Sequence, residues 1–125
     1  MIHLDTHVIV WLYAEQFDRV PPTATALIEH EDLVISPMVR LELAYLHEID
    51  RLTDDAQAVI DALTPVLGLQ ESRAPFAVVV DRAEQLTWTR DPFDRLIVAN
   101  ALVDDVPLLT ADRAILDKCH TAIWT

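Results

Sequence analysis

The chain has 125 residues, 52% of them hydrophobic and 24% charged, the balance of a globular chain long enough to bury a core and not of a disordered one. Twenty-one acidic residues face nine basic ones for a formal net charge of −12, with Lys118 the only lysine. Such a surface is a poor generic nucleic-acid binder, because phosphate affinity is built from clustered Lys and Arg. It is compatible with a plain acidic surface, with a cation-binding site, or with a surface awaiting a basic partner.

The single Gly68 excludes glycine-rich phosphate loops of both the Walker and Rossmann types. The single Cys119 excludes an internal disulfide and a multi-cysteine zinc site. No apolar run approaches the ~18 residues a membrane span needs. The start meets Asp5 at once, with no basic n-region, so no signal peptide is expected and a reducing cytoplasm is the expected location. With no repeat, linker or low-complexity tract, one domain is expected over 1–125.

The elements follow in chain order. Ile2, His3 and Leu4 read as a strand ending at Asp5, followed by a helix over 6–15. Pro21-Pro22 starts a helix through His30, since proline fits a first helical turn. Leu33, Val34 and Ile35 form a second buried strand, and Ser36-Pro37 caps a long helix to about Asp50. Thr53-Asp54 caps the next helix, where Ala56, Val59, Ile60 and Leu63 follow the i, i+3, i+4, i+7 pattern. A weaker strand is expected over 66–69 and a helix over 76–86. Asp91-Pro92 opens a strong helix to about Leu102. Pro107 to Leu109 is a strand, 112–117 a short helix, and 121–124 a last strand. Strands separated by helices imply crossovers, hence an α/β fold with a mainly parallel sheet covered on both faces. In such sheets ligands bind beyond the carboxyl ends of the strands.

Carboxylates collect at that edge. Asp5 follows the first strand, Asp112 stands three residues after Leu109, Glu42 lies early on the helix leaving the second strand, and Asp91 and Asp94 share one helical turn. Each has an ordinary alternative: Asp5, Asp91 and Asp112 as helix caps, Asp94 as the partner in a capping box, Glu42 as a solvent-facing acid. Jointly they are a different matter. Two carboxylates ~4 Å apart repel by about 4 kcal/mol at an effective dielectric of 20. A cluster therefore persists only if some members are protonated or cations share the site. Oxygen-only ligands point to Mg²⁺ or Mn²⁺ rather than zinc. Such ions serve phosphoryl chemistry.

Four stretches, Leu4-Asp5-Thr6-His7-Val8, Ser36 followed by Leu41-Glu42-Leu43-Ala44, the run from Asp91-Pro92-Phe93-Asp94-Arg95 to Ala99, and Leu109-Thr110-Ala111-Asp112, resemble the signatures of PIN-domain ribonucleases. They are most similar to the VapC-type toxins of toxin–antitoxin pairs. The likeness spans nearly the whole chain in order and spacing; its departure is Val39-Arg40-Leu41 before Glu42. The resemblance implies a three-layer α/β/α sandwich with a five-stranded sheet. It implies a Mg²⁺-dependent endoribonuclease, with Mn²⁺ as the alternative ion, that cleaves RNA by metal-activated water. Asp5, Glu42, Asp94 and Asp112 would be its metal and catalytic acids, Thr6 and Thr110 hydroxyl supports, and Asp91 and Arg95 accessory or structural. It further implies a cognate antitoxin whose C-terminal segment covers the site, and a homodimer.

With few lysines, RNA contact is expected from Arg40, Arg90, Arg95 and Arg113 and from an aromatic such as Trp11, Tyr13 or Trp88. His3 reads as packed in its strand. Three other readings compete. A receiver-like Mg²⁺-binding signalling domain needs a pair of adjacent acids after the first strand and a lysine after the last. A dehalogenase-like phosphatase needs Asp-x-Asp, where His7 stands. An inactive PIN-like module would only bind a partner.

Overall fold

Ile2–Leu4 form strand β1, and all three side chains are buried. The computed structural model describes residues 1–125. Helix α1 (Thr6–Tyr13) starts at the cap Asp5, and a 3-10 turn over Phe17–Arg19 leads to α2 (Pro22–His30). Strand β2 (Leu33–Ile35), again buried throughout, feeds α3 (Pro37–Glu48) through the Ser36 hydroxyl, which accepts from the Met38 N–H at 3.1 Å. Then follow α4 (Ala56–Leu67), β3 (Gln70–Glu71), α5 (Phe76–Ala83), α6 (Pro92–Asp104), β4 (Leu108–Leu109), α7 (Arg113–Lys118) and β5 (Ala122–Ile123).

The strands lie in the order β3-β2-β1-β4-β5, and every pairing is parallel. Parallel strands need helical crossovers, which bury both sheet faces, so β2 and β4 carry buried apolar side chains on each side, and β1 buries Ile2 and Leu4 on one face and His3 on the other. The fold is the expected α/β class with a five-stranded parallel sheet. From β1 the chain runs outward through β2 to β3 and returns to β4 on the other side of β1. The order therefore reverses between β1 and β4, which is where an open parallel sheet leaves a crevice. Helix α6 packs against α5 and α3, with Ile97, Val98, Ala99 and Ala101 buried.

One strand differs from its expected place. Residues 66–69 read as a strand from their apolar character, yet Val66 and Leu67 close α4. Gly68, at φ 65°, ends the helix in the left-handed region, and the strand begins only at Gln70. The α4 cap is likewise Asp55, not Thr53-Asp54; its side chain accepts from the Ala58 N–H at 2.8 Å.

His3 is packed, as its alternating position suggests, and it has a half-buried partner. Its Nε2 lies 2.7 Å from Asp104 Oδ2 at the end of α6, and the Ser72 hydroxyl donates to that same oxygen at 2.7 Å. The Asn100 amide donates to Ser72 Oγ at 2.8 Å and to Asp104 Oδ2 at 3.2 Å. Burial pushes the His3 pKa down, and the Asp104 hydrogen bond and charge only partly oppose it. Replacing Asp104 by Ala leaves His3 Nε2 and the Ser72 hydroxyl without their acceptor. Urea unfolding should show a loss of about 1–3 kcal/mol, against a change within about 0.5 kcal/mol for the exposed Asp81→Ala.

Candidate functional site

At the β1–β4 reversal lies a cleft of about 600 Å³. Five carboxylates line it, Asp5, Glu42, Asp91, Asp94 and Asp112, brought from β1, α3, α6 and the end of β4. Local structure dictates most of the placements. Asp5 caps α1, its Oδ1 accepting from the Thr6 N–H at 2.8 Å. Asp112 caps α7 through Oδ1, which accepts from the Ile115 N–H at 3.0 Å. Asp91 caps α6, its Oδ1 accepting from the N–H groups of Phe93 and Asp94. The capping and cleft-lining readings of these three acids are therefore compatible: the cap fixes one oxygen and leaves the other Oδ of Asp91 and Asp112 without a protein partner.

The threonines tie the acids together. The Thr110 hydroxyl donates to Asp5 Oδ2 at 2.8 Å and accepts from the Asp112 N–H at 3.0 Å, so one buried hydroxyl holds the Asp5 carboxylate and the Asp112 backbone. The Thr6 hydroxyl donates to Glu42 Oε1 at 2.5 Å, pinning an acid of α3 to the start of α1. His7 Nε2 accepts from the Ala111 N–H at 2.8 Å. A neutral ring accepting there carries its proton on Nδ1, which faces Asp5 Oδ2 at 3.7 Å. Asp94 alone has no hydrogen-bond donor on either carboxylate oxygen.

Electrostatics follow from that arrangement. Burial, then the charges of Asp91, Asp5, Asp112 and Glu42, push the Asp94 carboxyl from 3.8 up to about 7. Glu42 is also raised, chiefly by burial and then by Asp5 and Asp91, against the lowering effect of the Thr6 hydrogen bond. All five side chains are hard oxygen donors with no thiolate among them, a set suited to Mg²⁺ or Mn²⁺. The electrostatic strain on Asp94 is of the kind a dication relieves. No three of the chain's His, Cys, Asp or Glu side chains are drawn together tightly enough to form a ready-made ion cage.

Of the residues singled out from sequence, Asp5, Thr6, Glu42, Asp91, Asp94 and Asp112 line the cleft, and Thr110 stands behind Asp5. Arg95 does not reach it: its guanidinium donates to the carbonyls of Ala83 and Glu84 and ties α6 to α5. The arginines expected to meet RNA lie elsewhere. Arg40 pairs with Glu71 at 2.5 Å, Arg90 donates to the Thr87 carbonyl, and Arg113 lines a separate depression beside β5. The basic side chains that do line the cleft are Arg19 and Arg51. Sequence reasoning passed over both because each follows a connecting turn with no motif to mark it.

The molecule is thus a parallel α/β protein with a cleft bearing five carboxylates at its topological switch point. A sequence model of the family described as "PIN domain" matches residues 2–120. Ribonuclease VapC22 of Mycobacterium tuberculosis is 32% identical over 97% of this chain and 96% of its own length. The chain belongs to the PIN-domain family, in its VapC ribonuclease branch. In fold it is similar to a solved VapBC2 from Rickettsia felis bound to a DNA fragment from their promoter, with a TM-score of 0.69 at 20% identity over all of both chains. A toxin–antitoxin complex from Klebsiella pneumoniae gives the same TM-score at 15% identity, covering 98% of this chain and 96% of that one.

A carboxyl whose folded pKa is raised binds its proton more tightly in the folded than in the unfolded chain. The stability Asp94 contributes is therefore fully present below 3.8 and lost as pH rises through about 7. Thermal melts of wild type and Asp94→Asn in EDTA should diverge with rising pH, the variant becoming relatively more stable at about pH 8 than at about pH 5. Parallel pH profiles would remove the proposed strain. His3, shared by both proteins, drops out of the difference.

Proposed function

We propose that this chain is a Mg²⁺-dependent endoribonuclease, the toxin of a toxin–antitoxin pair acting in the cytoplasm. Asp5, Glu42, Asp94 and Asp112 are the acids that hold the cation and serve the cleavage, with Mn²⁺ as the alternative ion. The observation that carries this reading is the convergence of carboxylates from four parts of the chain on one cleft, where burial and mutual repulsion disfavour the anion of Asp94. When bound, such an ion polarises a phosphate ester and lowers the pKa of adjacent water.

The chain's own residues prepare that chemistry. Thr110 and Thr6 hold Asp5 and Glu42 in fixed orientations, so little reorganisation accompanies binding. A dication sharing the cleft would favour the Asp94 anion, offsetting the burial and the neighbouring charges that raise its pKa. Asp91 caps α6 and adds to the negative field; Arg95 keeps α6 seated on α5. A receiver-like role is not favoured: Asp5 is alone after β1, and Lys118 ends α7 without lining the cleft.

The relative named as a ribonuclease and the toxin–antitoxin complexes among the solved structures support a cognate antitoxin as partner. Homodimerisation is the second partner reading. Leu41 and Tyr45 on α3 and Phe76 and Val78 on α5 are large, apolar and exposed, and a groove of about 330 Å³ runs beside Leu41 and Phe76. An apolar face of this kind is suited to a second copy.

Incubated with total RNA, the protein should cleave in Mg²⁺ and stop in EDTA. Asp5→Asn or Asp94→Asn should each reduce cleavage by about 10²-fold or more without loss of folding; retained activity in either would defeat the assignment. Light scattering after gel filtration should report a dimer for wild type and a monomer for Leu41→Asp. A monomeric wild type would reject the pairing.

A further inference from the structure

A nuclease of this charge has a recognition problem. Its substrate is a polyanion, the chain carries a net −12, and the cleft itself holds five carboxylates. Something other than a cation in the acidic centre must attract and orient the nucleic acid.

Four of the eight arginines are already engaged, and Arg73 and Arg113, which have no protein partner, lie outside the cleft. Arg40 is paired with Glu71, Arg82 with the Gln85 side chain, and Arg90 and Arg95 with backbone carbonyls. Arg19 and Arg51 are different. They are the only basic side chains lining the cleft other than the neutral-acceptor ring of His7, and neither forms an ion pair or hydrogen bond with protein groups even among so many acids. Two unpaired guanidinium groups beside a carboxylate cluster are matched to phosphates that must lie on either side of a scissile bond.

The same wall of the cleft carries an aromatic surface. The Trp11 ring lies 5.0 Å from His7 and 5.8 Å from Trp124, at tilts of 53° and 55°. The His7 ring is itself locked by the Ala111 N–H, so Trp11 is held from behind by fixed neighbours. The Arg19 guanidinium carbon sits 5.2 Å from the Trp11 ring centre. A planar cation thus occupies the position a nucleobase takes when it stacks. Arg19 is exposed, and a cation–π contact at an exposed site is weaker than base–aromatic stacking.

We propose that Trp11, Arg19 and Arg51 form the nucleotide-binding rim of the cleft. One nucleobase beside the cut stacks on Trp11, displacing the Arg19 guanidinium, and Arg19 and Arg51 contact the flanking phosphates. The rim selects which phosphodiester enters the carboxylate centre. This rests on the ribonuclease reading, and it assigns binding, not chemistry, to the three side chains.

The test uses the full chain with a fluorescein-labelled, random-sequence single-stranded RNA of ~12 nucleotides. Binding is measured in the Asp94→Asn background in EDTA, where cleavage is suppressed, and cut ends are mapped in the wild-type background. Arg19→Gln and Arg51→Gln should each weaken binding about fivefold at ~0.1 M salt and reduce the slope of log affinity against log salt by about 0.7, the value of one single-strand phosphate contact. Trp11→Leu should weaken binding about tenfold and broaden the base preference at one position beside the cut, with Trp11→Phe retaining most of both. Arg73→Gln removes an exposed charge away from the cleft and should change neither affinity nor slope. Because Trp11 also packs on the core, the arginine variants stand as the arm free of folding effects.

If wild type cleaves RNA but affinity, salt slope and cut pattern are unchanged in both arginine variants, the rim is overturned and the nuclease reading survives. If the arginines register but Trp11→Leu leaves affinity and base preference intact, the stacking position is overturned. If wild type neither binds nor cleaves RNA, the nuclease reading falls and the rim with it.

Discussion

Like-charge repulsion at the β1–β4 reversal is the constraint around which the molecule is built. A pair of carboxylates ~4 Å apart costs about 4 kcal/mol at an effective dielectric of 20. A helix cap returns only ~1 kcal/mol, and a favourable macrodipole about 0.3–1 kcal/mol. Caps therefore aim Asp5, Asp91 and Asp112 without compensating for their proximity. The remainder comes from the fold that clamps their elements together, a core cluster of 25 buried residues spanning every layer. Asp94, the one acid of the cleft with no donor to stabilise its charge, has its pKa raised first by burial and then by the charges of its neighbours.

The reversal of strand order explains why the strain falls there. β1 is central, so both its neighbours leave their carboxyl ends beside Asp5. The Asp5 N–H donates to the Leu109 carbonyl at 3.0 Å, continuing the β1–β4 ladder one residue past the strands. Thr110 and His7 then stitch the two connections together by side chain. Backbone pairing thus brings Asp5 and Asp112 within reach of one hydroxyl, and α3 and α6 add Glu42 and Asp94 from the sides. The acids of this cleft are preorganised because they stand at the ends of paired strands and on helices that those strands position.

The distribution of cations is the counterpart of the distribution of acids. In a chain so rich in carboxylates, Arg40, Arg82, Arg90 and Arg95 find an acceptor on the surface or between helices. That Arg19 and Arg51 do not, although they border five acids, places mixed charge around one opening. An all-negative cleft would repel a nucleic acid at every approach; a cleft with a basic and aromatic rim offers one orientation in which it is drawn in.

The elements were legible in the sequence because their causes are local: proline at first turns, Asp and Ser caps, apolar runs of strand length. Asp5, Asp91 and Asp112 could be placed at helix starts for the same reason, and the family likeness marked Glu42 and Asp94. The exception over 66–69 had a local cause as well, since Gly68 in the left-handed region outranks the apolar run around it. Other features depended on chain segments far apart. Nothing near His3 announces Asp104, nothing near Arg40 announces Glu71, and nothing in the turns carrying Arg19 and Arg51 announces the cleft. Sequence alone determined the α/β class and the acids at the strand ends, because periodicity and capping act over a few residues. Which side chains meet across the β1–β4 reversal, and with what charge, was decided only by tertiary packing, because electrostatic energy depends on distance in space and not on separation along the chain.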